Sequence, residues 1–157
     1  MAYDIRRMYH QARGFQLAAE RCLEIRAHPE QTSLPIQAIV NYSFACEVYF
    51  KTIYAFENPE KDKLGQHYLD ELYSKLSDCY KDRIANKLSA QYSREELLRC
   101  LQEFKKIFEE YRYIYEMNSD DRTNFGFLRD LSIILQDIVG EITQKYVLRL
   151  VGLEAML

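Results

Sequence analysis

Apolar side chains recur along this chain at spacings of three and four, and no stretch alternates cleanly in β-branched residues, so the pattern predicts helices and no strands. The first predicted helix runs from about Tyr3 to Ala27, with Met8, Ala12, Phe15, Ala19, Cys22 and Leu23 at helical spacing and Pro29 marking its end. The second takes Ser33 as its cap and Pro35 in its first turn, and carries to Glu57 or Asn58, where Asn58-Pro59 stops it. Its central stretch, Asn41 to Glu57, organises the rest. At 100° per residue, Gln37, Asn41, Glu47 and Lys51 fall within about a third of the circumference, while Ile39, Tyr42, Cys46, Tyr49, Phe50, Ile53 and Phe56 cover most of the remainder. Such a helix is largely buried. Glu47 and Lys51, one turn apart on it, therefore need polar partners from elsewhere, because a lone charge away from water is expensive.

Beyond Asn58 the pattern predicts a polar loop from Pro59 to Gly65, then a short helix begun by His67, Leu69, Leu72 and Leu76, then another from Cys79 to Leu88. Ser93 and Glu96 spell a capping box. They open a long helix, expected to end at Asn118 to Asp121, whose seam is Leu97, Leu101, Phe104, Phe108, Tyr111 and Tyr115. Thr123 or Asn124 caps a last long helix with Leu128, Leu131, Leu135, Ile138 and Ile142 facing inward and Gly140 as a weak point midway. Its continuation from Tyr146 to Leu157 is apolar enough to suggest packing on the body or against a second subunit. The expectation is an all-α bundle forming a single domain over residues 1–157.

Composition narrows the partners. With 48% hydrophobic and 29% charged residues the chain can bury a real core, and a formal charge of -3 argues against holding nucleic acid mainly by neutralising phosphates. Cys22, Cys46, Cys79 and Cys100 are singletons with no CxxC pair and read as reduced, buried thiols. The first residues lack a signal-peptide run and no segment reaches the roughly 18 to 20 apolar residues of a membrane span, so the expected setting is the cytoplasm, with no membrane partner. No phosphate-cradling Gly-rich loop or nucleophile elbow occurs, and His10 and His28 have no carboxylate or Cys at metal spacing, so neither a cofactor nor a metal is expected. The 13 Tyr and 8 Phe look like a ladder for bases, but the helical spacing of Phe104, Phe108, Tyr111 and Tyr115 makes core packing the expectation.

Three stretches carry a resemblance to a known family: the ExxxK pair Glu47 and Lys51 inside an aromatic second helix, Gly65-Gln66-His67 at the entry to a short helix with Leu69 and Leu72, and FEEYRYIYE from Phe108 to Glu116. In order and spacing the chain resembles the HEPN superfamily of prokaryotic helical domains, from roughly the middle of the first helix to Val139. The resemblance implies an up-and-down bundle of about five to six helices that commonly forms homodimers and often occurs in toxin–antitoxin and phage-defence systems. Many members are metal-independent RNases. Others are inactive and serve as antitoxins, nucleotide-binding modules or partners of nucleotidyltransferases.

Active HEPN RNases carry an R-x(4-6)-H motif near the start of the last helices, where Arg can hold the scissile phosphate and His can move the 2′-hydroxyl or leaving-group proton. Here no His follows Arg112, Arg122 or Arg129, and the one literal match, Arg21 to His28, sits at the end of the first helix. Two arrangements of the remaining polar residues stay open. In one, Glu47, Lys51, His67, Arg112 and Glu116 line a common pocket with Asn41 nearby, and Tyr113 or Tyr49 stacks a base or ribose. In the other, Glu47, Lys51, Arg112 and Glu116 form a half-buried network that locks two helices, with His67 hydrogen-bonding a helix end. The expected function is a non-catalytic interaction or nucleotide/RNA-associated module with a protein partner from the same locus. The alternative is a metal-independent endoribonuclease using Arg112 with His67, or the Arg21–His28 pair.

Overall fold

Asp4 starts the first helix by accepting the backbone N–H of Arg7 on its carboxylate, and Glu24 ends it by turning to extended backbone at φ -64, ψ 126. The helix, α1, is therefore Ile5–Leu23, shorter at both ends than its apolar pattern suggests. The computed structural model describes residues 3–24, 34–61, 64–105 and 125–150. Among these residues five more helices follow: α2 Pro35–Glu57, α3 Leu69–Ser74, α4 Asp78–Leu88, α5 Arg94–Glu103 and α6 Phe125–Leu150. No strand occurs among the described residues, as the sequence predicts for an all-α bundle.

Local sequence explains most boundaries. Pro35 occupies the first turn of α2, where its missing N–H leaves nothing unsatisfied, and Leu34 stands at the cap position. The capping box at α5 is complete: Glu96 N–H donates to Ser93 Oγ at 3.2 Å, and Ser93 N–H donates to Glu96 Oε2 at 2.8 Å. The single long helix expected from Ser93 to an end at Asn118 to Asp121 is corrected here, because α5 closes at Glu103; the expected end itself lies outside the described residues. Phe104 leaves helical geometry at φ -88, ψ 9 and stacks on Phe127 at 5.9 Å, while Lys105 is drawn to Asp70 and Glu71. Phe108, Tyr111 and Tyr115 lie outside the described residues. Gly140 does not break α6, which runs straight through it.

The three long helices form the centre. Leu34 N–H reaches Cys22 O at one end of the α1–α2 pair and Leu64 N–H reaches Tyr3 Oη at the other, so these helices are antiparallel. Cys46 Sγ meets Leu128 O at 3.7 Å while Arg149 lies over the Phe56 ring at 4.8 Å, so α6 runs parallel to α2 and antiparallel to α1. On the other side, α3 closes over Phe50 through Tyr73, and α4 is tied to α6 by Arg83–Glu141 at 2.6 Å and Lys87–Asp137 at 3.7 Å. Tyr42, Phe50, Ile53, Leu69, Leu97, Leu131 and Leu135 are among the side chains sealed in this core. Each contributes roughly 1.5–3 kcal/mol by leaving water.

Candidate functional site

Burial of α2 on nearly every side is what makes its one ion pair consequential. Glu47 is 6% exposed, and its Oε1 accepts from Lys51 Nζ at 2.8 Å one turn along the same helix. The same oxygen faces His67 Nδ1 at 2.9 Å. His67 does not begin a helix, as its spacing suggests; it lies two residues before α3, in the segment that the Leu64–Tyr3 bond and the burial of Leu69 hold against the bundle. A carboxylate can only accept, so the neutral His67 ring must carry its proton on Nδ1, leaving the Nε2 lone pair unused by Glu47. The His67 side chain is 67% exposed and the Lys51 side chain 17%, so the cluster is a wet rim over a buried anion. Beside it, Gln66 Oε1 is buried with no hydrogen-bond partner.

Of the residues singled out from the sequence, Glu47, Lys51 and His67 thus meet at one atom. Asn41 does not join them: its side-chain amide donates to Gln37 O at 2.7 Å within its own helix. Arg112, Tyr113 and Glu116 lie outside the described residues, as does His28, the second member of the Arg21 pair. Tyr49 is corrected as a stacking platform, because its ring is fully buried and its hydroxyl donates to Gln16 Oε1 at 2.9 Å. His10 is exposed on α1 and meets the Tyr9 ring edge-on at 5.6 Å. All four cysteines are free, and Cys46 and Cys100 are buried, but Cys79 is exposed, contrary to expectation. It stands in the first turn of α4 with its side facing water.

Two features escaped the sequence. The first is a polar string through the α1–α2 interface: Arg13 Nη1 donates to Glu20 Oε1 at 3.3 Å, Gln16 Nε2 reaches the same oxygen at 3.4 Å, and Gln16 in turn accepts from Tyr49. Burial pushes the Tyr49 phenol well above its ordinary range, so it stays a donor at every physiological pH. Only the placement of Gln16 at a core-facing step of α1, between Ala12 and Ala19, hinted at it. The second is a groove of about 740 Å³ between α3, α4 and α5, lined by Asp70, Tyr73, Asp78, Asp82, Arg94 and Leu98 among others. Its charges are largely matched: Arg94 pairs with Asp82, Lys81 with Asp78 at 3.5 Å, and Lys105 with Asp70 and Glu71 at 3.4 and 3.6 Å.

Among the described residues no three His, Cys, Asp or Glu side chains converge as a metal site, and no helix is long and apolar enough to cross a membrane. Compared with protein families, with curated proteins and with solved structures, the chain finds no match.

Proposed function

We propose that this chain is a non-catalytic HEPN-like module of a prokaryotic toxin–antitoxin or phage-defence system, working as a homodimer that binds a protein partner or a nucleotide beside Glu47 and Lys51. One observation carries the reading: Lys51 and His67 both face the single oxygen Oε1 of Glu47. Lys51 is already neutralised by a buried carboxylate one turn away, so it has little charge left to stabilise the extra negative charge that builds on a phosphate during cleavage, whereas holding a partner or a nucleotide needs no such excess. The absence of any His after Arg112, Arg122 and Arg129 in the sequence supports the same reading.

The alternative, a metal-independent endoribonuclease with a rearranged site, draws support from the exposure of His67, whose carboxylate-anchored ring has the form of a general base. Incubating the purified protein with mixed tRNA and mRNA in EDTA, beside the Arg112→Ala and His67→Ala variants, separates the two. The module reading expects intact RNA. Cleavage by the wild type that both variants lose overturns it in favour of the RNase, and light scattering on the same preparation tests the dimer.

A further inference from the structure

Large apolar side chains left in water on two neighbouring helices stand out on the surface of α1 and α6. Leu17 is 37% exposed and Ile133 41% exposed. Tyr9 Oη lies 4.0 Å from where a Cβ on Gly140 would stand, which fixes the register of these antiparallel helices. Leu17 is eight residues on from Tyr9, about 12 Å along α1, and Ile133 is seven residues back from Gly140, about 10.5 Å along α6. The two side chains therefore stand at nearly the same height.

Arg21 lies one turn beyond Leu17 and Arg129 one turn before Ile133, and because the helices run in opposite directions both arginines fall toward the same end of the apolar pair. Both arginines are exposed, and neither has an ion-pair partner among the described residues. The nearest acids are engaged or peripheral: Glu20 accepts from Arg13 and Gln16, Asp130 accepts from Tyr92 Oη at 3.3 Å, and Glu24 stands at the helix end. Gly14, one turn before Leu17 on the other side, has no atom within 4 Å of its Cβ position, so the approach is open.

We propose that this α1–α6 seam docks an acidic amphipathic segment of a partner protein, with an apolar side chain seated on Leu17 and Ile133 and carboxylates on Arg21 and Arg129. Guanidinium forks suit carboxylates, and an apolar pair next to them asks for a partner that presents both kinds of group at helical spacing. A nucleic-acid strand needs cations along its whole path and has nothing to set on the two apolar side chains, and the patch is too narrow to insert into a membrane. The inference rests on the interaction-module reading and adds a second contact on the outer face of α1 and α6, separate from the site beside Glu47 and Lys51.

The probe is a fluorescein-labelled helical peptide of about 20 residues with Leu along one stripe and Glu beside it. It is compared by anisotropy with the same peptide carrying Gln for Glu, with a single-stranded RNA, and with vesicles of phosphatidylglycerol and phosphatidylcholine. The Glu peptide binds saturably in the micromolar range, weakens with salt, and loses about tenfold in affinity both in Arg21→Glu with Arg129→Glu and in Leu17→Ser. Circular dichroism confirms that these surface variants keep their helix content. A folded wild type that ignores the Glu peptide, or variants that bind it as well as the wild type, overturns the proposal. Preference for the RNA, the vesicles or a second copy of the chain overturns it as well. RNA cleavage in EDTA defeats the module reading independently, so the two failures are distinguishable.

Discussion

Lys51 Nζ and His67 Nδ1 lie 2.8 and 2.9 Å from one oxygen atom, Oε1 of Glu47. Their contributions to stability are not equal, because Lys51 belongs to the buried helix while most of the His67 side chain is in water. Replacing Glu47 by Ala leaves a largely buried ammonium without its counter-charge and lowers stability by about 3 kcal/mol in urea unfolding. Glu47→Leu combined with Lys51→Met restores most of the loss, and His67→Ala costs under about 1 kcal/mol. A double variant no better than Glu47→Ala would show that the pair matters for more than mutual neutralisation.

The Tyr49–Gln16 bond crosses the α1–α2 interface with both groups buried. Tyr49→Phe removes one hydroxyl and leaves the Gln16 oxygen without a donor, for a loss of about 1–2 kcal/mol. Adding Gln16→Leu removes the orphaned acceptor and recovers part of it. Thermal melts of the two variants measure the difference, and identical melts for Tyr49→Phe and wild type would refute the role of the bond.

Thiol chemistry should sort the cysteines by burial. Desolvation pushes the Cys46 thiol far above its ordinary value and raises Cys100 as well, whereas Cys79 is exposed. With iodoacetamide at about pH 8, mass spectrometry finds Cys79 alkylated first and Cys46 only after denaturation. Early labelling of Cys46 would mean that α2 separates from α6 in the native ensemble.

The capping box gives the acid limb a defined sign. The Glu96 carboxyl is held below its ordinary value by the Ser93 backbone N–H and then by the Ser93 hydroxyl, and Glu141 is lowered in the same direction by its bond to Arg83. A carboxyl that titrates lower in the folded than in the unfolded chain adds stability above its ordinary pKa, and that contribution disappears as pH falls through the folded value. Glu96→Gln should therefore melt below the wild type near neutrality, with the gap narrowing as pH drops below the carboxylate range. A gap that stays constant with pH would sever the cap from the acid limb.

Tyr92 offers an optical reporter for the contact between α6 and the turn that precedes α5. Burial first and Asp130 second push its phenol up to about 12. Asp130→Asn lowers that value, which difference absorbance of the phenolate on alkaline titration would register.

The sequence by itself determined the helices that have strong local signals. Pro35 and Asn58-Pro59 bound α2, Ser93 with Glu96 starts α5, and three- and four-residue spacing marks the buried faces of α1, α5 and α6, because caps, prolines and period are properties of neighbouring residues. It also exposed Glu47 and Lys51 as charges on a helix with almost no free surface, a mismatch that needs no coordinates to notice. Only the tertiary structure decided who answers it. His67 reaches Glu47 across 20 residues because α3 packs onto Phe50, Gln16 meets Tyr49 because α1 runs antiparallel to α2, and Asn41 turns to its own helix instead. The seam of Leu17 and Ile133 exists only through the register of two helices more than a hundred residues apart. Such pairings depend on which faces close on which, and that choice is made by the whole core at once.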